Sequence, residues 1–138
     1  MTRTTGSRSV GTVLLVDDAE ADNFLHRRAV EAAGLAAEIV TRLDGQTALD
    51  YLGDPDTTEP PALILLDINM PGMTGWEFLD AYRALPTNRR ASRLVVLTTS
   101  DHPADRERAT SNGLVDAFVT KPLDADRLRE LADRFFAG

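Results

Sequence analysis

The stretch L-I-L-L-D at residues 63–67 is a continuous apolar run that stops at a carboxylate. Four apolar residues in a row do not alternate between core and solvent, so the run predicts a strand that is buried on both faces. Similar short runs recur at residues 13–16, 39–40, 94–97 and 118–119. The chain is therefore expected to contain five strands.

The segments between these runs carry helical patterns and no hairpin signal. Helices are predicted at residues 19–33, 46–52, 78–85, 104–111 and 128–135. In the first, the apolar residues recur at helical spacing, which is typical of a buried helix face; they are Leu25, Ala29, Ala32 and Ala33. Strands that alternate with helices in this way predict an α/β fold, with a five-stranded parallel sheet covered by helices on both faces.

Length and composition restrict the class of protein. The chain has 138 residues, of which 43% are hydrophobic and 27% are charged, and these values suit one globular domain. We expect a flexible tail at residues 1–11 and a domain at 12–138. The net charge of −7 argues against direct binding to nucleic acid, and the lack of cysteine excludes disulfides and thiolate chemistry. No apolar stretch could cross a membrane, so a cytoplasmic location is expected.

Polar side chains follow four of the five predicted strands. Asp17 and Asp18 follow the first, Asp67 ends the third, Thr98 ends the fourth and Lys121 follows the fifth. The carboxyl ends of parallel strands meet at one edge of the sheet, where sites form in such folds. Crowded carboxylates repel one another unless a cation neutralises them, and an all-oxygen site with room for water favours Mg²⁺.

Lys121 and Thr98 add the groups that a phosphoryl group requires. Lys121 is the one lysine among 15 basic residues. Its ammonium supplies a point charge, Thr98 can donate a hydrogen bond to a phosphate oxygen, and a carboxylate can be the nucleophile. Taken singly, an aspartate after a strand is more often a helix cap, and Lys121 would be a solvated surface residue. Their joint placement favours phosphoryl chemistry.

Four motifs in this order carry a family resemblance. They are V-L-L-V-D-D at 13–18, L-I-L-L-D-I-N-M-P-G-M-T-G at 63–75, V-V-L-T-T-S at 95–100 and F-V-T-K-P at 118–122. Together they resemble the receiver domain of two-component response regulators, and the resemblance covers about residues 12–136. It implies a flavodoxin-like fold with strand order 2-1-3-4-5.

The resemblance also implies residue roles. Asp67 would be the phosphoacceptor, and Asp17, Asp18 and Asp67 would bind Mg²⁺ together with the backbone carbonyl of Asn69. Lys121 would pair with Asp67 and the phosphoryl group, and its peptide bond to Pro122 would be cis. Thr98 would hydrogen-bond the phosphoryl oxygen and act with Phe118 as the switch.

Two departures from the family pattern concern this switch. The spacing from Thr98 to Lys121 is one residue longer than the commonest pattern, which we attribute to the loop at 113–117. Counting back from Lys121 alone would instead nominate Thr99. The aromatic switch position is Phe118, so a readout through a tyrosine hydroxyl is not available.

The resemblance implies a stand-alone response regulator, because Gly138 follows the last predicted helix directly. It would take a phosphoryl group from a sensor histidine kinase or phosphotransfer protein, and would catalyse its own phosphorylation and dephosphorylation without being a conventional enzyme. Output would be binding of a downstream protein or phosphorelay, and Phe135-Phe136 could support a homodimer. The alternatives are an aspartate-nucleophile, Mg²⁺-dependent phosphohydrolase and a pseudo-receiver that only binds protein. The adjacent pair Asp17-Asp18 and the complete polar set argue against them.

Overall fold

The computed structural model describes residues 10–57, 59–99 and 102–136, and over this part of the chain five strands alternate with five helices. The strands are β1 (Gly11–Val16), β2 (Ala36–Arg42), β3 (Leu63–Asp67), β4 (Arg93–Thr98) and β5 (Ala117–Thr120). The helices are α1 (Glu20–Ala33), α2 (Gly45–Gly53), α3 (Gly75–Arg83), α4 (Pro103–Asn112) and α5 (Ala125–Phe136).

The strands form one parallel sheet with the order β2-β1-β3-β4-β5. This confirms the predicted fold. β3 lies at the centre, and all five of its residues are buried. Its apolar run was the clearest strand signal in the sequence because neither face of the strand meets solvent.

Each face of the sheet has its own hydrophobic core. On one face, residues such as Leu15, Leu65 and Leu97 pack with Val30 of α1 and Leu128 of α5. On the other face, the alternate strand residues pack with α2 and α3, whose large buried side chains are Leu52, Phe78, Leu79 and Tyr82. The strands are thereby held between two helical layers, with their carboxyl ends aligned.

The first helix corrects one expectation. Leu25 is 55% exposed, so it does not belong to the buried face that the apolar spacing predicted. The buried residues of α1 are Asn23, His26, Val30 and Ala33. The inner face of α1 therefore includes two polar side chains, Asn23 and His26, and differs from the face that the apolar pattern predicted. Both residues lie in the first half of the helix.

The boundary between the predicted tail and the domain also changes. Gly11 begins β1, and the Val10 N–H donates to the Leu35 carbonyl at 2.7 Å, so the predicted tail gives up its last residues to the sheet. The rest of that tail, residues 1–9, lies outside the described residues.

Phe135 and Phe136 pack against the α1–α5 core, and the homodimer remains a prediction. Within the described part of the chain, no helix is long and apolar enough to span a membrane.

Candidate functional site

The polar strand-end residues meet at the carboxyl edge of the sheet. Parallel registers place Val16 beside Leu66, Asp67 beside Leu97 and Thr98 beside Thr120. One carboxylate oxygen from each of Asp17, Asp18 and Asp67 lies within 4.8 Å of the others. The structure therefore brings together the residues that the sequence placed on separate strands.

Asp67 is the central carboxylate of the site and is only 3% exposed. Its Oδ1 accepts a hydrogen bond from the Asn69 backbone N–H at 3.0 Å, and its Oδ2 lies 3.6 Å from the Lys121 ammonium. Burial raises the pKa of Asp67 from 3.8 to about 6, and the neighbouring charge of Asp17 adds to this effect. Burial therefore disfavours the ionised carboxylate of Asp67.

The Lys121 ammonium is shared among three carboxylates. Its Nζ donates to Asp17 Oδ2 at 2.8 Å and to Asp22 Oδ2 at 2.7 Å, whereas Asp67 Oδ2 is beyond hydrogen-bond distance. Burial alone would lower the pKa of Lys121, but the hydrogen bonds to Asp17 and Asp22 outweigh burial and raise the pKa. The peptide bond between Lys121 and Pro122 is cis, as expected.

Asp17 anchors the end of β1 to the start of α1. Its Oδ1 accepts from the Ala19 N–H at 2.9 Å, and its backbone carbonyl accepts from Asn23 Nδ2 at 3.0 Å. Asp17 is buried, whereas the adjacent Asp18 is exposed. One aspartate is thus held by protein groups, and the other faces outward, where solvent and a cation can reach it.

The loop after β3 is shaped by Gly75. The Gly75 N–H donates to the Ile68 carbonyl at 3.1 Å, and a Cβ on Gly75 would lie 2.4 Å from the Ile68 Cα. Only glycine permits this approach. Thr74 and Glu77 then form a capping box that starts α3. The loop returns directly beneath Asp67 and holds Asn69 beside it.

The two threonines that the sequence left open differ in burial. Thr98 is fully buried at the end of β4, and its Oγ1 accepts from Asn69 Nδ2 at 3.3 Å. Thr99 is exposed. Asn69 therefore contacts both Asp67, through its backbone, and Thr98, through its side chain. Thr98, and not Thr99, thus lies in the hydrogen-bond network around Asp67, and its role as the switch residue stays a prediction.

The aromatic position on β5, which pairs with Val96 of β4, contacts the fourth helix. Phe118 is half-buried on β5 and packs at the margin of the α2–α3 core. The guanidinium of Arg106 lies 4.9 Å from the centre of its ring, at cation–π distance. The ring is therefore held between the core and a surface cation.

The donor set fits a hard divalent cation. Asp17, Asp18 and Asp67 offer carboxylate oxygens only, which are the donors that Mg²⁺ prefers. The backbone carbonyl of Asn69 stays a predicted ligand.

Sequence reasoning missed the contribution of α1. Asp22 bonds Lys121, Asn23 bonds Asp17, and His26 is buried one helical turn after Asp22. Burial lowers the pKa of His26, which disfavours a positive charge on this histidine. The sequence signal that could have indicated this is the set of polar residues at 22, 23 and 26, which lie in the first half of the helix that follows Asp17-Asp18.

Comparisons with known proteins agree with this geometry. A family model described as the response regulator receiver domain matches residues 13–133. The response regulator Rcp1 of Synechocystis sp. is 34% identical over 112 residues, which cover 79% of this chain and 75% of that protein. The crystal structure of a two-component response regulator from Cytophaga hutchinsonii superposes with a TM-score of 0.85 at 30% identity, covering 95% of this chain and 100% of that one. The phosphorylated cyanobacterial phytochrome response regulator RcpA gives a TM-score of 0.74 at 30% identity, covering 91% and 94%.

Proposed function

The chain belongs to the response regulator receiver family, and we propose that Asp67 accepts a phosphoryl group from a histidine of a sensor kinase or phosphotransfer protein. The observation that carries the proposal is the buried Asp67 carboxylate, which lies 3.6 Å from the Lys121 ammonium and within 4.8 Å of oxygens of Asp17 and Asp18. A relative at 30% identity has been crystallised in a phosphorylated form, which supports the same chemistry here.

The transfer is a substitution at phosphorus. An oxygen of the Asp67 carboxylate forms the new P–O bond, and the P–N bond to the donor histidine breaks. The electron pair of that bond stays on the imidazole nitrogen, and the product on the protein is an acyl phosphate. Such a transfer depends mainly on positioning and charge neutralisation, which rigid strand ends can supply.

Asp17, Asp18 and Asp67, with the Asn69 carbonyl, would hold Mg²⁺. When bound, the ion supplies positive charge to the carboxylate and to the phosphoryl oxygens. Asp67 needs this charge because Lys121 lies 3.6 Å from it and is hydrogen-bonded elsewhere. Because Asp18 is exposed, its side of the site is open to solvent, and the ion and the phosphodonor would enter there.

The phosphoryl group would be read by Thr98 and Lys121. It brings roughly −1.5 to −2 charge, so the ammonium and the threonine hydroxyl are drawn toward it. Movement of Thr98 opens space that Phe118 fills, which changes the face built from α4, β5 and α5. The output is binding of a downstream protein at that face, or relay of the phosphoryl group to another histidine.

Incubation with acetyl phosphate and Mg²⁺, followed by intact-mass measurement, tests the proposal. The wild type should gain one phosphoryl group and Asp67→Asn should gain none. Asp80→Asn, which changes an exposed carboxylate on α3, is the matched control and should label like the wild type. An unlabelled wild type, or equal labelling of Asp67→Asn, would overturn the assignment.

A further inference from the structure

Asp22, in the first turn of α1, makes the shortest of the three carboxylate contacts to Lys121. Its Oδ2 lies 2.7 Å from the ammonium, against 2.8 Å for Asp17 and 3.6 Å for Asp67. The Lys121 side chain is 9% exposed, whereas that of Asp22 is 34% exposed. Asp22 is thus a hydrogen-bonded and partly exposed partner of the ammonium, whereas the nucleophile Asp67 lies beyond hydrogen-bond distance.

The position of Asp22 is fixed by the helix that carries it. Asn23 Nδ2 donates to the Asp17 carbonyl at 3.0 Å, which ties the first turn of α1 to the end of β1. Val30 and Ala33 of the same helix are buried in the sheet core. The Asp22 carboxylate therefore cannot follow the ammonium toward Asp67. A hydrogen bond from Lys121 to a group on Asp67 therefore competes with the hydrogen bond that its Nζ makes to Asp22.

We propose that Asp22 is a positioning residue that holds the Lys121 ammonium on the α1 side of the site until a phosphoryl group on Asp67 draws it away. The inference rests on the proposed function and deepens it. An ammonium has three N–H donors, and Asp17 and Asp22 take two of them at good distances. A phosphoryl group carries more negative charge than a half-exposed carboxylate, so the exchange is favourable once it is present.

The contact with Asp22 opposes closure of Lys121 on the phosphoryl group. Removal of its charge should therefore favour the closed state and tighten binding of a phosphoryl analogue. We expect Asp22→Asn to bind beryllofluoride, at saturating Mg²⁺, roughly three- to tenfold more tightly than the wild type, the range that a partly exposed ion pair supports. Asp22→Glu keeps the carboxylate and should restore affinity close to that of the wild type.

The lone lysine permits a direct readout. Protein made with ¹⁵Nζ-lysine gives one side-chain ammonium resonance, which belongs to Lys121. In the wild type without ligand, this resonance reports the contact with Asp22, and beryllofluoride with Mg²⁺ should shift it. In ligand-free Asp22→Asn, the resonance should already differ from that of the wild type. A contact that does not oppose closure would change this resonance in Asp22→Asn without changing the affinity for beryllofluoride, so the affinity decides between the two roles.

Glu20→Gln is the matched control because Glu20 is an exposed acid in the same first turn of α1. It removes the same charge near the same helix end, so it corrects for general repulsion of an anion. Glu20→Gln should change neither the resonance nor the affinity by more than about twofold. If Asp22→Asn matches Glu20→Gln while the wild type binds beryllofluoride, the inference fails and the proposed function stands. A wild type that binds no beryllofluoride overturns both.

Discussion

The two halves of the site are built from different forces. The charged half joins β1, α1, β3 and β5 through the contacts of Lys121 with Asp17, Asp22 and Asp67, which measure 2.7–3.6 Å. The neutral half lies on β4 and β5. There Thr98 accepts a 3.3 Å hydrogen bond from Asn69, and Phe118 lies under Arg106. The charged half is held by several mutual attractions, and the neutral half by weaker ones.

This difference also appears in the helices. α1, beside the charged half, buries Asn23, His26, Val30 and Ala33, whereas Ala109 is the one buried residue of α4, beside the neutral half. Few buried contacts make a segment easy to displace. A change of charge at Asp67 is therefore expected to leave the α1 side in place and to move the α4 side.

The largest expected effect tests the charge balance itself. Asp18→Ala removes the exposed carboxylate of the cluster, which protein groups cannot replace. We expect Mg²⁺ affinity to fall about 100-fold or more, measured by isothermal titration calorimetry. Asp80→Asn should bind Mg²⁺ like the wild type. Unchanged affinity in Asp18→Ala would remove Asp18 from the ligand set.

Lys121→Arg separates charge from geometry in the same half. The substitution keeps the positive charge, but a planar guanidinium cannot place one nitrogen where the Nζ contacts Asp17 and Asp22 at 2.8 and 2.7 Å. We expect about tenfold weaker beryllofluoride binding and smaller amide shifts on α4 and β5 in NMR spectra.

The control for this exchange is Arg127→Lys, because Arg127 forms an exposed ion pair with Glu130 on α5. At that exposed position lysine can replace arginine, so the beryllofluoride affinity and the amide shifts of Arg127→Lys should match those of the wild type. If Lys121→Arg also behaves like the wild type, a simple positive charge suffices and the geometric role of the ammonium is wrong.

The raised pKa of Asp67 predicts a pH-dependent stability difference. The folded value is about 6 and the ordinary value 3.8, so the contribution of this carboxyl to stability is complete below about pH 4 and is lost as the pH rises through 6. Asp67→Asn stays neutral and avoids that loss. It should be more stable than the wild type by about 1–2 kcal/mol at about pH 8 without Mg²⁺, and equal to it near pH 4.

Urea denaturation across this pH range measures the difference. The same proton competes with Mg²⁺, so the Mg²⁺ affinity of the wild type should fall as the pH drops through about 6. A stability difference between Asp67→Asn and the wild type that does not vary with pH would show that the Asp67 carboxyl is not destabilised by burial.

The neutral half provides the smallest expected effect and a matched pair within one dipeptide. Thr98→Ala removes a buried hydroxyl that contacts Asn69, whereas Thr99→Ala removes an exposed one. Thr98→Ala should weaken beryllofluoride binding about fivefold, as the loss of one hydrogen bond of about 1 kcal/mol implies, and Thr99→Ala should leave it unchanged. The reverse result would make Thr99 the switch residue.

The strongest sequence signals came from residues that are buried on both faces of the sheet. The run at 63–67 is one of these, so its consecutive apolar residues predicted β3, and similar runs elsewhere predicted the other strands. The ends of the strands could be located from the same runs, and the carboxyl ends of parallel strands meet at one edge of the sheet. The grouping of Asp17, Asp67 and Lys121 was therefore predictable. The family resemblance then supplied the strand order and the role expected of each residue.

The missed features depend on how elements rotate against one another. Leu25 was expected inside and is exposed, because Asn23 and His26 take the inner face of α1 at the site. Hydrophobic periodicity cannot detect a face that is buried for polar reasons. The contact between Asp22 and Lys121 follows from that rotation and from the side-chain conformation of Lys121, neither of which a single sequence encodes in its pattern.

The most direct test of the central claim is to locate the phosphoryl group chemically. An acyl phosphate is reduced by borohydride to the corresponding alcohol, which turns a phosphorylated aspartate into homoserine. After treatment with acetyl phosphate and Mg²⁺, peptide mass spectrometry should find homoserine at position 67 and aspartate at positions 17, 18 and 22. Homoserine at one of those positions instead, or unchanged aspartate at 67 in protein that carries a phosphoryl group, would contradict the account.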